Sequence, residues 1–357
     1  IFAWGKYGGF GRATRLIGKE LVQRGVSVAA LVPRRSGQGA VEEMDGIQVY
    51  GFTRKEIHHV PRLVRNIDAD IYHSEEPSFG TFLAMHAMPE RKHIITFRDT
   101  RDTSDWLTEF RLPSVNRAQV LANWIYEDNW LVHQAVRRAD DWFAAANMLT
   151  AKARTKYHLR RDPVFLPTPV TMPATVQKAA QPTVCFVSRW DRRKRPEIFF
   201  ELAKVFPEVR FIAIGKSRDL EWDRSLRERY GKLKNLEMPG FIDQFRSNEL
   251  TQLMGQSWIL VNTAAREGLP NAFIEAAAHG CAILSAVDPD GFASRFGCYV
   301  RNDDFVAGLK FLLEHGHWQK LAFAGQEYVR HEFAVERSIS QHMAIYTRLL
   351  EEQRFGR

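Results

Sequence analysis

Two series of alternating strand and helix patterns, separated by a proline-rich break, constrain this chain more than any other feature. In the first series, short β-branched and aromatic runs fall at 26–32, 47–50, 70–73, 93–97, 142–146 and 163–166. In the second they fall at 183–188, 209–215, 236–240, 258–262, 282–286 and 299–300. Helical spacing appears between several of them. Leu16, Leu21 and Val22 mark one face over 13–24, and further helices are expected at about 196–206, 219–230, 248–254, 272–279 and 304–314. Such alternation favours parallel sheets covered by helices, the doubly wound α/β class. The break carries Pro167, Pro169, Pro173 and Pro182 with no apolar periodicity, which reads as a connector.

At 357 residues the chain exceeds what one hydrophobic core usually serves. Two similar domains facing each other across a cleft are therefore expected: 1–166, then a linker over 167–181, then 182–333. A last helix over 334–357, with Ile339, Met343, Tyr346 and Leu350 at helical spacing, is expected to pack back on the first domain. The stretch 100–139 breaks the alternation as a long, mostly helical insert carrying Trp106, Phe110, Trp124, Tyr126 and Trp130. Its aromatics suit domain packing, an acceptor groove or a membrane surface. The first residues, Ile1-Phe2-Ala3, run straight into a glycine-rich loop and read as the tail of a strand whose beginning lies upstream, so an N-terminal address is not excluded.

Composition narrows the class. An apolar fraction of 45% and a charged fraction of 26% exclude disordered, collagen-like and coiled-coil chains. The net charge of +8 is compatible with nucleic acid, an anionic membrane face or a phosphorylated substrate and selects none of them. Cys185, Cys281 and Cys298 are odd in number and far apart, which fits a reducing compartment such as the cytoplasm rather than a disulfide framework. Neither they nor the histidines have neighbours at ligand spacing, so no metal site is expected.

The strongest motif is Arg266-Glu267-Gly268-Leu269-Pro270-Asn271-Ala272-Phe273-Ile274-Glu275-Ala276-Ala277-Ala278-His279-Gly280, directly after the apolar run ending at Asn262-Thr263. Pro270 suits the first turn of a helix and Gly280 its stop. A helix N-terminus beside a glycine is an anion site, suited to phosphate or diphosphate. Glu267 and Glu275 would repel such a ligand, so they are expected on hydroxyls of a sugar and a ribose. The second motif, Ser188-Arg189-Trp190-Asp191-Arg192-Arg193-Lys194-Arg195-Pro196-Glu197, follows the first strand of the second series. Cations at the carboxyl end of such a strand suit a diphosphate leaving group.

With Glu267 and Glu275 flanking seven residues, Gly-Leu-Pro-Asn between them and the Arg189…Lys194 pair about 75 residues upstream, the chain resembles the retaining glycosyltransferases of family 4. The resemblance runs through nearly the whole chain. It takes in Gly8-Gly9, Asp70-Ile71-Tyr72-His73, Thr96-Phe97-Arg98-Asp99, Ala139-Asp140, Leu166-Pro167-Thr168-Pro169-Val170 and Tyr346…Leu349-Leu350. It implies the GT-B fold of two Rossmann-like domains, no metal, and a UDP- or GDP-linked sugar as co-substrate with no other cofactor. It also implies roles. Arg189 and Lys194 would hold the diphosphate, Glu267 the transferred sugar, and the backbone of Gly268, Leu269, Pro270 and Asn271 would surround sugar and phosphate. Glu275 would take the ribose, Gly8 and Gly9 would approach the β-phosphate, Phe241 and Ile242 would meet the base, and Gly215 would keep the approach to the nucleotide open. The acceptor is expected to be a saccharide or lipid-linked hydroxyl, in bacterial-type polysaccharide or glycolipid assembly, with the protein cytoplasmic or peripheral at the inner membrane face. No nucleic-acid partner is expected.

Two positions depart from the family pattern, both on the acceptor side. The family's Thr-x-His-Asp has Arg98 at its histidine, and its His-x-His-x-Pro is His73-Ser74-Glu75-Glu76-Pro77, with Glu75 at the second histidine. His73, Arg98 and Asp99 form the acceptor-side set. Arg98 would favour an acidic or phosphorylated acceptor, or pair with Asp99. Competing readings are a non-catalytic binding relative, a phosphorylase-like use of the fold, and an NADP-binding reductase built on Gly9-Phe10-Gly11 and Arg34-Arg35. The last has Thr14 where a third glycine belongs.

Overall fold

A computed structural model describes residues 9–34, 37–114 and 116–355. The Ile1-Phe2-Ala3 start, Gly8 and Arg35 lie outside the described residues. By its internal contacts the chain divides into two compact units. Unit 1 is Ile1–Thr100, Ala122–Pro169 and Val335–Arg357; unit 2 is Arg101–Leu121 and Val170–Ala334. Residues 101–121 thus cluster with unit 2, although in sequence they interrupt unit 1.

Unit 1 begins with α1 (Gly9–Gln23), whose buried Ala13, Ile17 and Leu21 recur every four residues along one face. Next come β1 (Ala29–Pro33), β2 (Val41–Met44) and β3 (Ile47–Phe52). β1 pairs parallel with β3, whereas β2 runs antiparallel to it with Met44 opposite Ile47. The antiparallel ribbon was not expected. Asp45 and Gly46 both sit at positive φ (54° and 78°), and Asp-Gly is a favoured pair for such a two-residue hairpin. α2 (Val60–Ile67) and α3 (Phe79–Ala87) alternate with β4 (Ile71–Glu75) and β5 (Lys92–Phe97). The chain then runs through α4 (Thr103–Arg111), α5 (Arg117–Glu127), α6 (Trp130–Arg138), β6 (Asp141–Ala144), α7 (Met148–Tyr157) and β7 (Val164–Phe165). β4, β5, β6 and β7 pair in that order, all parallel. Ile95, Phe97, Val136, Trp142 and Tyr157 fill the core under this sheet.

Unit 2 alternates without interruption: β8 (Thr183–Val187), α8 (Pro196–Val205), β9 (Arg210–Ile214), α9 (Leu220–Tyr230), β10 (Leu236–Gly240), α10 (Glu249–Gln256), β11 (Ile259–Asn262), α11 (Asn271–Ala278), β12 (Ala282–Ser285), α12 (Phe292–Phe296), β13 (Gly297–Tyr299) and α13 (Phe305–Leu313). The strands form one parallel sheet, ordered β10-β9-β8-β11-β12-β13. Its central strands are apolar on both faces, as a sheet covered by helices requires, and Val184, Cys185, Phe186, Phe211, Ile212 and Ile259 are all buried. Burial of each such aliphatic or aromatic side chain contributes about 1.5–3 kcal/mol.

The order of strands in unit 2 fixes where a ligand belongs. From β8 the chain winds outward through β9 and β10, then returns to the other side of β8 and winds outward through β11, β12 and β13. The reversal lies between β8 and β11. Open α/β sheets bind ligands at this place.

α14 (His317–Phe333), a 17-residue helix, was not expected. Trp318, Ala322, Gly325, Val329 and Phe333 form its buried stripe, and two glycines in or beside it blurred the periodicity. A break at Ala334 (φ −55°, ψ 142°) separates α14 from α15 (Val335–Phe355). α15 packs within unit 1: Ile339 and Val335 meet Ile17 and Leu21, and Ser338 Oγ donates to the Pro167 carbonyl at 2.6 Å.

Candidate functional site

Two loops of unit 2 meet at the β8/β11 reversal. The first, 188–195, leads into α8; the second, 263–270, leads into α11. They are stitched together through the backbone. The Ala265 N–H donates to the Arg193 carbonyl at 2.9 Å, and Thr263 Oγ donates to the carbonyls of Lys194 and Arg195 at 2.6 and 2.9 Å. Arg195, at φ 48°, returns Nε to the Thr263 carbonyl at 2.6 Å. Thr263 is fully buried, so these bonds hold the loops without competition from water.

This stitching carries Lys194 and Glu267 into a direct ion pair, each side chain about 13% exposed. Asp191, buried beneath the first loop, accepts the Lys194 N–H on Oδ1 at 3.1 Å and lies 3.4 Å from the Arg189 guanidinium. Burial opposes its ionisation, but Arg189, Arg193 and Lys194 outweigh that and hold its carboxyl below the usual range.

The basic run is thereby sorted. Arg193 is buried on Glu109 (2.6 Å), Arg195 is bidentate to Asp303 (2.7 and 2.9 Å), and Arg192 lies over the Trp222 ring. Arg189 keeps a 35% exposed side chain.

Pro270 stands at the N-cap of α11 with extended ψ (128°), not inside its first turn as expected, and the helix starts at Asn271. The Phe273 N–H in its first turn donates to the Pro270 carbonyl at 2.9 Å. Gly268 and Leu269 lie between Glu267 and that cap, and Glu275 lies one turn into the helix, partly buried. Gly215 (φ 136°) ends β9, where a Cβ would fall 1.8 Å from the Ser188 carbonyl oxygen. The glycine is thus required by the approach of two backbones, a need not foreseen from the sequence. Its N–H donates to the Gly240 carbonyl at 2.8 Å, which brings the loop carrying exposed Phe241 and Ile242 beside the same strand ends. In unit 1, Gly9 is the first residue of α1, and Gly8 lies outside the described residues.

The acceptor-side set is a buried polar network in unit 1. His73 bonds Tyr346 at 2.8 Å through Nδ1 and Thr96 at 2.7 Å through Nε2. The two positions that depart from the family pattern are partners: the Arg98 guanidinium, only 4% exposed, pairs with Glu75 and donates to Thr168 Oγ at 2.7 Å. Neither alternative foreseen for Arg98 describes this, since its charge is met inside unit 1 by Glu75. Burial works against the Glu75 carboxylate, yet the charges of Arg98 and His73 bring it down to about 2. Burial lowers His73 to about 4.

Glu76, given no role from sequence, sits at φ 79° and accepts the N–H groups of Arg98 and Asp99 on one oxygen at 2.6 and 2.7 Å. Burial, with the nearby charges of Asp99 and Glu127, raises it to about 7. A raised carboxyl leaves the folded protein holding a proton that the unfolded chain has released, so it lowers stability as pH rises from 4.5 to 7. Glu76→Gln keeps the acceptor oxygen and removes the titration. Relative to the native protein, the variant is expected to gain about 3 kcal/mol between pH 4.5 and 7.5, read by urea unfolding. An equal difference at both pH values would contradict this.

Residues 171–321 match the family profile described as glycosyl transferases group 1. Among solved structures, sucrose-phosphate synthase from Thermosynechococcus elongatus superposes with a TM-score of 0.72 at 16% identity, covering 96% of this chain and 94% of that one. Anabaena HepE in complex with UDP-glucose gives 0.70 at 16%, covering 96% and 97%. A glycosyltransferase from Rickettsia africae gives 0.70 at 15%, covering 96% and 95%. The fold is GT-B. No curated protein matches the chain by sequence.

Within this GT-B chain, the residues that sequence reasoning passed over are those that hold others in place. Asp191 lies inside the cation motif and Thr263 just before the other, where a polar residue next to a cation run was a usable signal. Asp105 and Glu109 gave none, because they meet Arg266 and Arg193 across 161 and 84 residues of sequence. Among the described residues, no group of three or more His, Cys, Asp or Glu is placed to hold a metal ion.

Proposed function

We propose that the chain transfers a glycosyl group, a hexose or related sugar, from a UDP- or GDP-linked donor to an acceptor hydroxyl with retention at the anomeric carbon. The observation that carries this is the meeting of Arg189, the Lys194–Glu267 pair and the N-termini of α8 and α11 at the strand reversal of unit 2. A diphosphate seated there lies against two cations and two helix N-termini. Glu267 turns to the sugar hydroxyls once Lys194 takes phosphate, and Glu275 serves the ribose. HepE, similar in fold, is described in complexes with UDP-glucose and with UDP and glucose, which supports this class of donor.

In the reaction the bond from the anomeric carbon to the phosphate oxygen breaks and the acceptor oxygen bonds the same face. The acceptor proton passes to the departing phosphate. Arg189, Lys194 and the helix N-termini are set against the charge that develops there, an effect on the order of 3–4 kcal/mol. Saccharide or lipid-linked acceptors, as in polysaccharide or glycolipid assembly, fit this reading, with the protein cytoplasmic and peripheral at the inner membrane face. The solvent side of 101–121 supports the membrane contact: Leu107, Phe110 and Leu121 are exposed with Arg111 and Arg117 among them. No described helix is long and apolar enough to cross a membrane.

The test is thermal unfolding with UDP, GDP, ADP and NADP side by side, on the native chain and on Glu275→Ala. A ligand at about 100 times its Kd adds about 2.7 kcal/mol, a shift of several degrees. UDP or GDP should raise Tm in the native chain and lose that effect in the variant. Stabilisation by NADP alone would sink the proposal.

A further inference from the structure

The insert that leaves unit 1 in sequence at residue 100 and rejoins it at 122 places one acidic face of α4 against the two loops of the site. Glu109 Oε1 lies 2.6 Å from Arg193, 3.2 Å from Arg266 and 3.1 Å from Arg101. Asp105 accepts from Arg266 Nε at 2.7 Å, and Ser114 Oγ donates to Asp191 at 3.1 Å. The charged side chains here are only 9–15% exposed. Arg193 comes immediately before Lys194, and Arg266 immediately before Glu267. One carboxylate oxygen therefore grips the residue preceding each member of the Lys194–Glu267 pair, one from each loop.

We infer that Glu109 is a positioning residue for the donor site, bracing the two loops from α4 so that Lys194 and Glu267 face the diphosphate and the sugar. The inference rests on the proposed donor reading and adds to it a part drawn from outside the second Rossmann unit's own sequence. The geometry explains the division of labour among the cations. Arg193 and Arg266 are turned to α4 and neutralised there, while their neighbours Lys194 and Glu267 are turned to each other. Glu109 Oε1 is shared by the guanidinium groups of Arg101, Arg193 and Arg266. Removing its charge takes a common partner from three cations in a nearly closed space, and Arg193 and Arg266 must then shift toward water or toward the site.

The test compares native protein with Glu109→Gln and Asp105→Asn by calorimetric titration of UDP and of GDP, with melting temperatures in parallel. Glu109→Gln is expected to raise the Kd of whichever nucleotide binds by about tenfold or more. Asp105→Asn, which keeps an oxygen for the Asp102 N–H at the start of α4 and removes the charge facing Arg266, should have a smaller effect in the same direction. Glu109→Asp, keeping the charge on a shorter stem, should recover part of the affinity. A purely structural role lowers Tm and leaves Kd unchanged for protein that is still folded at the titration temperature; that result overturns the brace. Should Glu109→Gln fail to fold, Asp105→Asn decides by the same criterion. If the native protein binds neither nucleotide, the donor reading falls and the brace falls with it, whereas native binding with unaltered variants removes the brace alone.

Discussion

Lys194→Ala is expected to lower kcat/KM for glycosyl transfer by about 100- to 1000-fold while the protein remains folded. The reasoning starts from the pair it forms. Without ligand, Lys194 and Glu267 neutralise each other at the mouth of the strand reversal. Binding of a diphosphate-linked sugar replaces that single contact by two, ammonium to phosphate and carboxylate to hydroxyl. The gain on the phosphate side grows as the leaving group acquires charge, so the loss falls mainly on kcat. Stability should change little, because the loops are held by Thr263, Arg195 and Glu109 independently of Lys194. Initial rates with the donor found by thermal shift, beside Tm for native and variant, make the check. A variant with unchanged kcat/KM would remove Lys194 from the chemistry and leave Arg189 to be tested alone.

Much of this site could be read from the sequence because its chemistry is local. Strand, cation loop and helix follow one another within about 15 residues, as do strand, Glu267 and the α11 N-terminus. Periodicity and turn chemistry therefore placed nearly every strand of unit 2 within a residue or two. What stayed hidden is held by long-range pairing. Nothing in the alternation shows that α4 belongs with the second unit, since its allegiance is fixed by Asp105 and Glu109 meeting arginines far along the chain. The β2–β3 ribbon is a different kind of miss. Its Asp45-Gly46 turn was legible, but Glu42 and Glu43 interrupt β2's apolar pattern and hid the strand. Gly215 meets the Ser188 backbone, a contact that the sequence could not show, because a glycine that admits a ligand and one that admits a neighbouring backbone look alike in sequence.

The same distinction bears on Arg98 and Glu75, which from sequence were two separate departures and in the structure are one ion pair. Glu75→Gln is expected to destabilise the protein by about 3–5 kcal/mol, since it leaves the Arg98 guanidinium buried with Thr168 as its remaining side-chain partner. Glu75→His with Arg98→His, which places a histidine at both positions, should recover most of that loss. A double-mutant cycle should then give a coupling of several kcal/mol. The pH dependence follows from the depressed Glu75 carboxyl. Its ordinary value of 4.5 falls to about 2 in the folded state, so its contribution is present above pH 4.5 and disappears as pH falls toward 2. The gap between native and Glu75→Gln stability should therefore close over that window by about 3 kcal/mol. His73, lowered to about 4 by burial, adds its own loss as pH drops from 6.5 to 4 in both proteins, a larger one in Glu75→Gln, where the carboxylate that raises it is gone. Urea unfolding at pH 7, 4.5 and 3 reads both effects. A gap that stayed constant with pH would mean that Arg98 is held by its packing and by Thr168, and that Glu75 contributes shape rather than charge.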